Sequence, residues 1–302
     1  MIIKKITDIK DCQRIWQLFS PKDTLWDLWE LVESIYNPKI HSPLFLVGVR
    51  GGKETGLLPL WFDKSQKVYY SFGGSICEFR DFWFGPQDFP FYFEKIPTPI
   101  LINDIDAVSV EQILKVNPDY RKYFFEIDNK YILNFKEINY SLEGFYKRFT
   151  PKHRKNLKYD IKKLDSLKYV IKWEKFNHFD LMIQFNKNRF GVESNFEDIN
   201  NIDELKKLLQ FFSDKKWLHT LSVNIDNKVQ AIEYAAFYNH TYYVINGGFN
   251  HKYKNFGKLV LIEHIKNAME LKADIVDFMV GDSGWKELWN LDKLPCYSLN
   301  KD

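Results

Sequence analysis

The sequence predicts an α+β protein of two domains, each a mostly antiparallel mixed sheet flanked by helices. Three observations lead there. A chain of 302 residues has room for two domains of about 150 residues each. In its second half, strand-like runs at residues 218–225, 229–238 and 242–247 are separated by Asp226-Asn227 and Asn239-His240, two-residue pairs that tolerate positive φ and so predict an antiparallel meander. The third observation is order: helices, then a meander, then a helix and a further strand, in both halves. That grouping differs from the strict alternation of a dinucleotide-binding fold. The boundary is placed between residues 135 and 141, giving domains 1–137 and 138–302.

Composition narrows the class. Hydrophobic residues make up 45% and charged residues 27%, the balance of a globular protein with a sizeable core. A net charge of +3 is too small to commit the whole molecule to a polyanion. Cys12, Cys77 and Cys296 are odd in number and far apart, which argues against a secreted disulfide framework and predicts buried thiols. The start, Met1-Ile-Ile-Lys-Lys-Ile, lacks a signal-peptide core, and no run approaches the roughly 20 apolar residues of a membrane span. A cytoplasmic location is the expectation.

Taken in order, residues 8–19 and 24–36 read as helices, the second with Leu25, Leu28, Trp29, Val32 and Ile35 on one face. Strands follow at 44–49, 55–61 (where Pro59 suits an edge or bulge) and 68–72, then an irregular stretch to Pro86. A strand near 99–102, a helix near 110–116 and a hairpin of 124–127 with 131–134, turning at Asp128-Asn-Lys, complete the first half. Beyond the boundary comes a short helix at 142–149. Thr150-Pro151 then restarts a helix, because Thr caps and Pro fits the first helical position. It runs to about Ser166, with Leu157, Ile161 and Leu164 aligned. A strand at 168–176 and helices at 179–189 and 202–215 precede the meander. The segment 241–289 follows it: a strand breaking on Gly247-Gly248, a basic loop, a helix at 258–272, a strand carrying Asp277, and a short capped helix carrying Lys286.

Several residues carry chemistry. The loop from Gly247-Gly248 to Phe256-Gly257 leads into a helix N-terminus whose first N–H groups lack partners, and Lys252, Lys254 and Lys258 surround it, an arrangement that suits phosphate; a solvated loop is the plainer alternative. Asp277 stands among Ile275, Val276, Phe278, Met279 and Val280, so its carboxylate must be paired, hydrogen-bonded or raised in pKa. It is either a general base or an anchor, with a salt bridge to Lys286 or an Arg as the plainer account. Glu233 repeats this inside Ala231-Ile-Glu-Tyr-Ala-Ala236, unless it faces solvent. Between Lys147 and Lys163 eight Lys or Arg face one acid, Asp160. That face can hold CoA phosphates, a lipid-linked pyrophosphate or RNA, or be merely solvated. No nucleophile elbow, Walker loop, His cluster or paired CxxC is present, so neither covalent nor metal catalysis is expected.

Taken together, Gly56-Leu-Leu-Pro-Leu60, Phe79-Arg-Asp-Phe82, Lys152-His-Arg-Lys-Asn-Leu-Lys158, Gly248-Phe-Asn250 with Gly257, Asp277-Phe with Gly281, and Trp285-Lys-Glu-Leu-Trp289 resemble the CelD-type branch of the GNAT superfamily of N-acyltransferases, double-domain relatives of the FemAB aminoacyl transferases. The resemblance implies two GNAT-like domains and transfer of an acyl group from acyl-CoA, or an aminoacyl group from aminoacyl-tRNA, to an amine of an amino sugar, peptide or small molecule. The pyrophosphate loop keeps one glycine, as Tyr253-Lys-Asn-Phe-Gly-Lys258, and there is no long helical hairpin arm, so the donor stays open between the two. On this reading a carboxylate takes the amine's proton, Asp277 first and Glu233 second. Asn246, Gly248, Asn250, Phe256, Gly257, Lys258 and Arg154 bind the donor and steady the oxyanion. Lys286, Trp285, Arg80, Asp81 and Trp83 contact the acceptor, the last three from the N-terminal domain. No metal takes part. The rival reading is a non-catalytic scaffold holding a polyanion, RNA or a lipid-linked phosphate, along residues 147–163.

Overall fold

The computed structural model describes residues 1–74, 76–78, 81–282 and 284–301. Its chain forms two compact units: residues 1–130, 280–282 and 293–302, and residues 131–279 and 283–292.

The first unit contains β1 (Ile2–Ile6), α1 (Ile9–Phe19), α2 (Trp29–Ile35), β2 (His41–Arg50), β3 (Lys53–Asp63), β4 (Val68–Ser71), α3 (Phe89–Lys95), β5 (Ile100–Asp106) and α4 (Ala107–Val116). Its sheet runs β1-β2-β3-β4-β5-β12, where β12 (Asp292–Lys301) is the end of the chain. Only β4–β5 is parallel among the pairs β1–β2, β2–β3, β3–β4, β4–β5 and β5–β12. Its core gathers Leu44, Leu46, Leu58 and Leu60 from the sheet against Phe89, Tyr92 and Phe93 of α3.

Strand β6 (Phe124–Asn134) leads into the second unit, followed by α5 (Leu142–Lys147), α6 (Pro151–Lys162), β7 (Val170–Glu174), α7 (Phe179–Phe190), α8 (Ile199–Asp214), β8 (Leu218–Ile225), β9 (Lys228–Tyr238), β10 (Thr241–Phe249), α9 (Phe256–Glu270) and β11 (Ile275–Val280). Here the order is β7-β8-β9-β10-β11-β6, and β10–β11 is parallel while β7–β8, β8–β9 and β9–β10 are antiparallel. The two units therefore repeat one topology: edge strand, two helices, three-strand meander, helix, parallel strand. Helix α9 buries Leu261, Ile262 and Ile265 against Ala235, Tyr242, Val244 and Val276, as its helical spacing predicts. Asp226, Asn227, Asn239 and His240 all take positive φ, so both meander turns form as their residue types require.

Four expectations change. Residues 124–134 form one strand rather than a hairpin. None of Asp128, Asn129 and Lys130 takes positive φ, and the Asn129 carbonyl accepts from the Gly281 N–H at 3.0 Å, a ladder bond that a turn would forfeit. Gly247 and Gly248 do not break β10, which runs through them to Phe249. The helix from Pro151 ends at Lys162 and passes into a 3-10 segment through Leu167, with Leu157 and Leu164 buried as read. The short helix after β11 is a single 3-10 turn, Lys286–Trp289, whose N-cap Trp285 makes no side-chain cap. Strands β1 and β12 and helix α3 arise from stretches with no clear sequence period. The three cysteines are buried as thiols, and among the described residues no helix is long and apolar enough to cross a membrane.

Candidate functional site

Strand β10 organises the second unit's site. Among the described residues it pairs with β11 at Thr241–Ile275, Tyr242–Val276 and Tyr243–Asp277. Immediately past that point its register on β9 jumps between Val244 and Asn246. The bulge adds one residue and re-aims the strand, so Asn246, Gly247 and Gly248 lie beyond the end of the recorded parallel pairing. The two glycines serve close approach. A Cβ on Gly247 would sit 2.6 Å from Glu233 Cγ, and one on Gly248 would sit 2.8 Å from the Met182 carbonyl oxygen of α7.

Glu233, opposite Gly247 on β9, does not face open solvent: its side chain keeps 24% exposure. Burial raises its carboxyl to about 7, with Arg189 at the end of α7 pulling the other way. That is the range in which a carboxylate both holds and releases a proton near neutrality. The Arg189 guanidinium also lies over the Phe190 and Phe249 rings. His264 of α9 approaches with Nε2 at 3.7 Å from Glu233 Oε2. His264 is fully buried, and burial lowers its pKa to about 3. Its Nδ1 lies 2.9 Å from Tyr242 Oη, which accepts from Asn267 Nδ2 at 3.0 Å. His264, Tyr242, Asn267 and Arg189 escaped the sequence reading. In helical pattern His264 and Asn267 look like ordinary residues of α9, and only the approach of β9 and β10 makes them a cluster.

Asp277 and Lys286 meet at one residue, Met279. Asp277, 2% exposed, accepts from the Met279 N–H at 2.9 Å. Lys286 is buried too and donates to the Met279 carbonyl at 3.1 Å. Met279 has φ +68°, which costs energy for a bulky residue, and these two side chains hold it there. The Lys286 ammonium lies 5.4 Å from the Tyr131 ring centre and 5.9 Å from that of Trp285.

Helix α9 starts at Phe256 and Gly257 after Asn255, whose φ is +70° and whose side chain makes no cap. A Cβ on Gly257 would meet only the Phe249 ring, at 3.5 Å, so packing does not demand glycine there. Lys258 is paired with Asp160 of α6 at 2.5 Å, which reduces the charge it can offer a phosphate. Asn250 donates to Gln230 Oε1 and accepts from the Lys252 N–H. Arg154 donates to the Phe149 carbonyl, and its Nε has no hydrogen-bond partner among the described residues. In the basic segment Arg148 pairs with Asp292 and Glu137, and Lys158 with Glu143.

In the first unit a small cleft, partly open to solvent, is lined by Trp16, Asp27, Glu78, Asp81, Phe82 and Trp83 among others. Asp81 accepts from Phe82 N–H and from the Ser109 hydroxyl, and Trp83 bridges to Leu57 of β3. Arg80 lies outside the described residues. Among the described residues no group of three His, Cys, Asp or Glu side chains is placed to hold a metal ion.

Residues 151–287 match the family described as acetyltransferase (GNAT) domain. Solved structures share the fold along nearly the whole chain. FemX has a TM-score of 0.63 at 11% identity, covering 99% of this chain and 97% of its own. L-PGS from Bacillus licheniformis has 0.57 at 10%, covering 98% and 92%. A tandem GNAT protein from the clavulanic acid biosynthesis pathway has 0.54 at 6%, covering 99% and 98%. No curated protein sequence matches. Residues 151–287 thus match a GNAT acetyltransferase domain, and the chain as a whole shares its fold with the tandem GNAT protein. The two repeated units are matched end to end by FemX and by the tandem GNAT protein, as a shared fold.

Proposed function

We propose that the chain moves an acyl group from a carrier to a primary amine by direct attack, with Glu233 as general base. One observation carries the reading: a carboxyl raised to about 7 faces Gly247 of β10, past the three parallel pairs that end at Tyr243–Asp277. In the step proposed, the amine nitrogen forms the C–N bond, its proton passes to Glu233, the carrier's C–S or C–O bond breaks to expel thiolate or alkoxide, and that leaving group takes the proton back from Glu233 to depart as thiol or hydroxyl. Backbone N–H groups near Asn246–Gly248 receive the oxyanion. Holding amine and carbonyl together supplies much of the rate. Asp277 and Lys286 support the site by fixing Met279 rather than by meeting the acceptor.

Acyl-CoA is the donor we favour. The uncapped start of α9, where Gly257 leaves room without being required by packing, suits a pyrophosphate. Aminoacyl-tRNA is the alternative, supported by the basic residues along α6. The N-terminal unit would hold the acceptor, an amino sugar, peptide or small amine, with Asp81 and Trp83 in its cleft. Two measurements test this. Acetyl-CoA should raise the melting temperature, and acyl transfer to an amine panel should be lost in Glu233→Gln. A melting temperature unmoved by acetyl-CoA, together with RNA binding that falls steeply with salt, would transfer the reading to tRNA. Full turnover in Glu233→Gln would remove Glu233 as base.

A further inference from the structure

We propose that His264 is a positioning residue for Glu233: a buried chain from Asn267 through Tyr242 holds the imidazole as its Nε2–H tautomer and aims that proton at the Glu233 carboxylate. This rests on Glu233 being the base of the proposed reaction.

The argument runs from both ends of the chain. At the far end the Asn267 amide donates to Tyr242 Oη at 3.0 Å. A phenol has one proton, so the Tyr242 hydroxyl donates its own to His264 Nδ1, 2.9 Å away. Nδ1 is then an acceptor, and the neutral ring carries its proton on Nε2. At the near end Nε2 is buried with no hydrogen-bond partner among the described residues, and a carboxylate oxygen, Glu233 Oε2, lies 3.7 Å from it. A proton on Nε2 points at an acceptor, whereas a bare lone pair there would face a carboxylate. Both ends select the same tautomer.

The surroundings keep the ring neutral. Trp173 of β7 packs edge-on against it at 5.5 Å, and burial with the neighbouring His219 of β8 holds its pKa far below the ordinary value. His264 therefore serves as a fixed dipole and not as a second base. The groups that bear on Glu233 are Arg189 from α7, His264 from α9 and Tyr242 from β10, with His219 acting through His264 and His251 beside Arg189. Among these, Arg189 and His264 favour the ionised carboxylate. At 3.7 Å the Nε2–Oε2 contact is longer than a hydrogen bond, and such contacts tighten when substrate closes the site. Held by Nε2–H on one side and confined by Gly247 on the other, the carboxylate keeps one orientation towards the amine.

The test needs no substrate in its first arm. In the full-length protein, long-range ¹⁵N–¹H spectra of the histidines should show His264 as the neutral Nε2–H form from pH 5 to 8; an Nδ1–H form would overturn the proposal. In the second arm, ¹³C-labelled glutamate, with Glu233→Gln to identify the signal, gives the Glu233 titration midpoint. His264→Leu removes the donor and should raise that midpoint by at least half a pH unit. His264→Gln places an amide N–H near the Nε2 position and should restore it. Equal midpoints in both variants and the wild type would overturn the proposal. Should His264→Leu fail to fold, Tyr242→Phe tests the same chain, since it frees Nδ1 and should populate the second tautomer; an unchanged tautomer there refutes the lock. On an active substrate, His264→Leu should lower kcat about tenfold with KM little changed. The base assignment itself fails only if Glu233→Gln keeps its turnover, so the two readings stand or fall separately.

Discussion

Replacing Glu233 by Gln should make the protein more stable, and only at neutral and alkaline pH. The half-buried carboxyl is raised from 4.5 to about 7, so the folded state binds this proton more tightly than the unfolded chain does. For such an acid, stability is greatest below pH 4.5 and falls as pH rises through about 7. At about 1.4 kcal/mol per pKa unit the full loss is roughly 3 kcal/mol. The side chain retains 24% exposure, and solvent screening brings this to about 2 kcal/mol. Glutamine has no charge to bury. Glu233→Gln should therefore match the wild type at pH 4 and exceed it by about 2 kcal/mol at pH 8, about 4–8 °C in Tm for a unit of this size. His264 works in the opposite sense: it is held at about 3 against 6.5 when unfolded, so it lowers stability as pH falls below 6.5. Both proteins carry it, so its own burial contribution is common to them. Calorimetric melts of the pair from pH 4 to 9 give the answer. A Tm difference that does not change with pH, or a wild type more stable than the variant at pH 8, would refute the burial argument.

Three further outcomes follow from the geometry. Gly247→Val places a Cβ 2.6 Å from Glu233 Cγ and 2.9 Å from the Ile232 carbonyl; it should cost about 1–3 kcal/mol in denaturant unfolding and displace the carboxylate, lowering acyl transfer beyond what the stability loss explains. Asp277→Ala removes the acceptor for the Met279 N–H and should cost about 1–3 kcal/mol, whereas Asp277→Asn keeps an acceptor oxygen and should cost less. Adding Met279→Gly to Asp277→Ala should recover about 1 kcal/mol, because glycine takes a φ of +68° without strain; no recovery would show that Met279 is not the group being held. Gly257→Ala meets only ordinary contact with Phe249 and should leave Tm unchanged or slightly raised, while the Tm increase given by acetyl-CoA shrinks.

Much of the second unit was legible because its signals are local. Thr150-Pro151, the two turn pairs and the apolar face of α9 each declare themselves within a few residues. Acids in apolar surroundings were also visible: a carboxylate inside Ile275–Val280 must be compensated, whereas the one inside Ala231–Ala236 was open to a solvent-facing reading as well. What each acid does was not visible. Asp277 and Glu233 have similar neighbours in sequence, yet one is fixed by a backbone N–H two residues away and the other stands between Gly247, Arg189 and His264. The same limit explains β6, where turn-forming residue types are overruled by a ladder bond from Gly281.

The sequence by itself determined the α+β class, the meander and its turns, the candidate acids and the GNAT resemblance, because periodicity, turn chemistry and the cost of burying charge act over a handful of neighbouring residues. The tertiary structure alone decided that Gly247 and Gly248 lie inside a strand, that Lys258 is paired with Asp160, and that Asn267, Tyr242 and His264 line up behind Glu233. Those facts depend on helices and strands meeting from distant parts of the chain, and a pKa is set by the groups that arrive there.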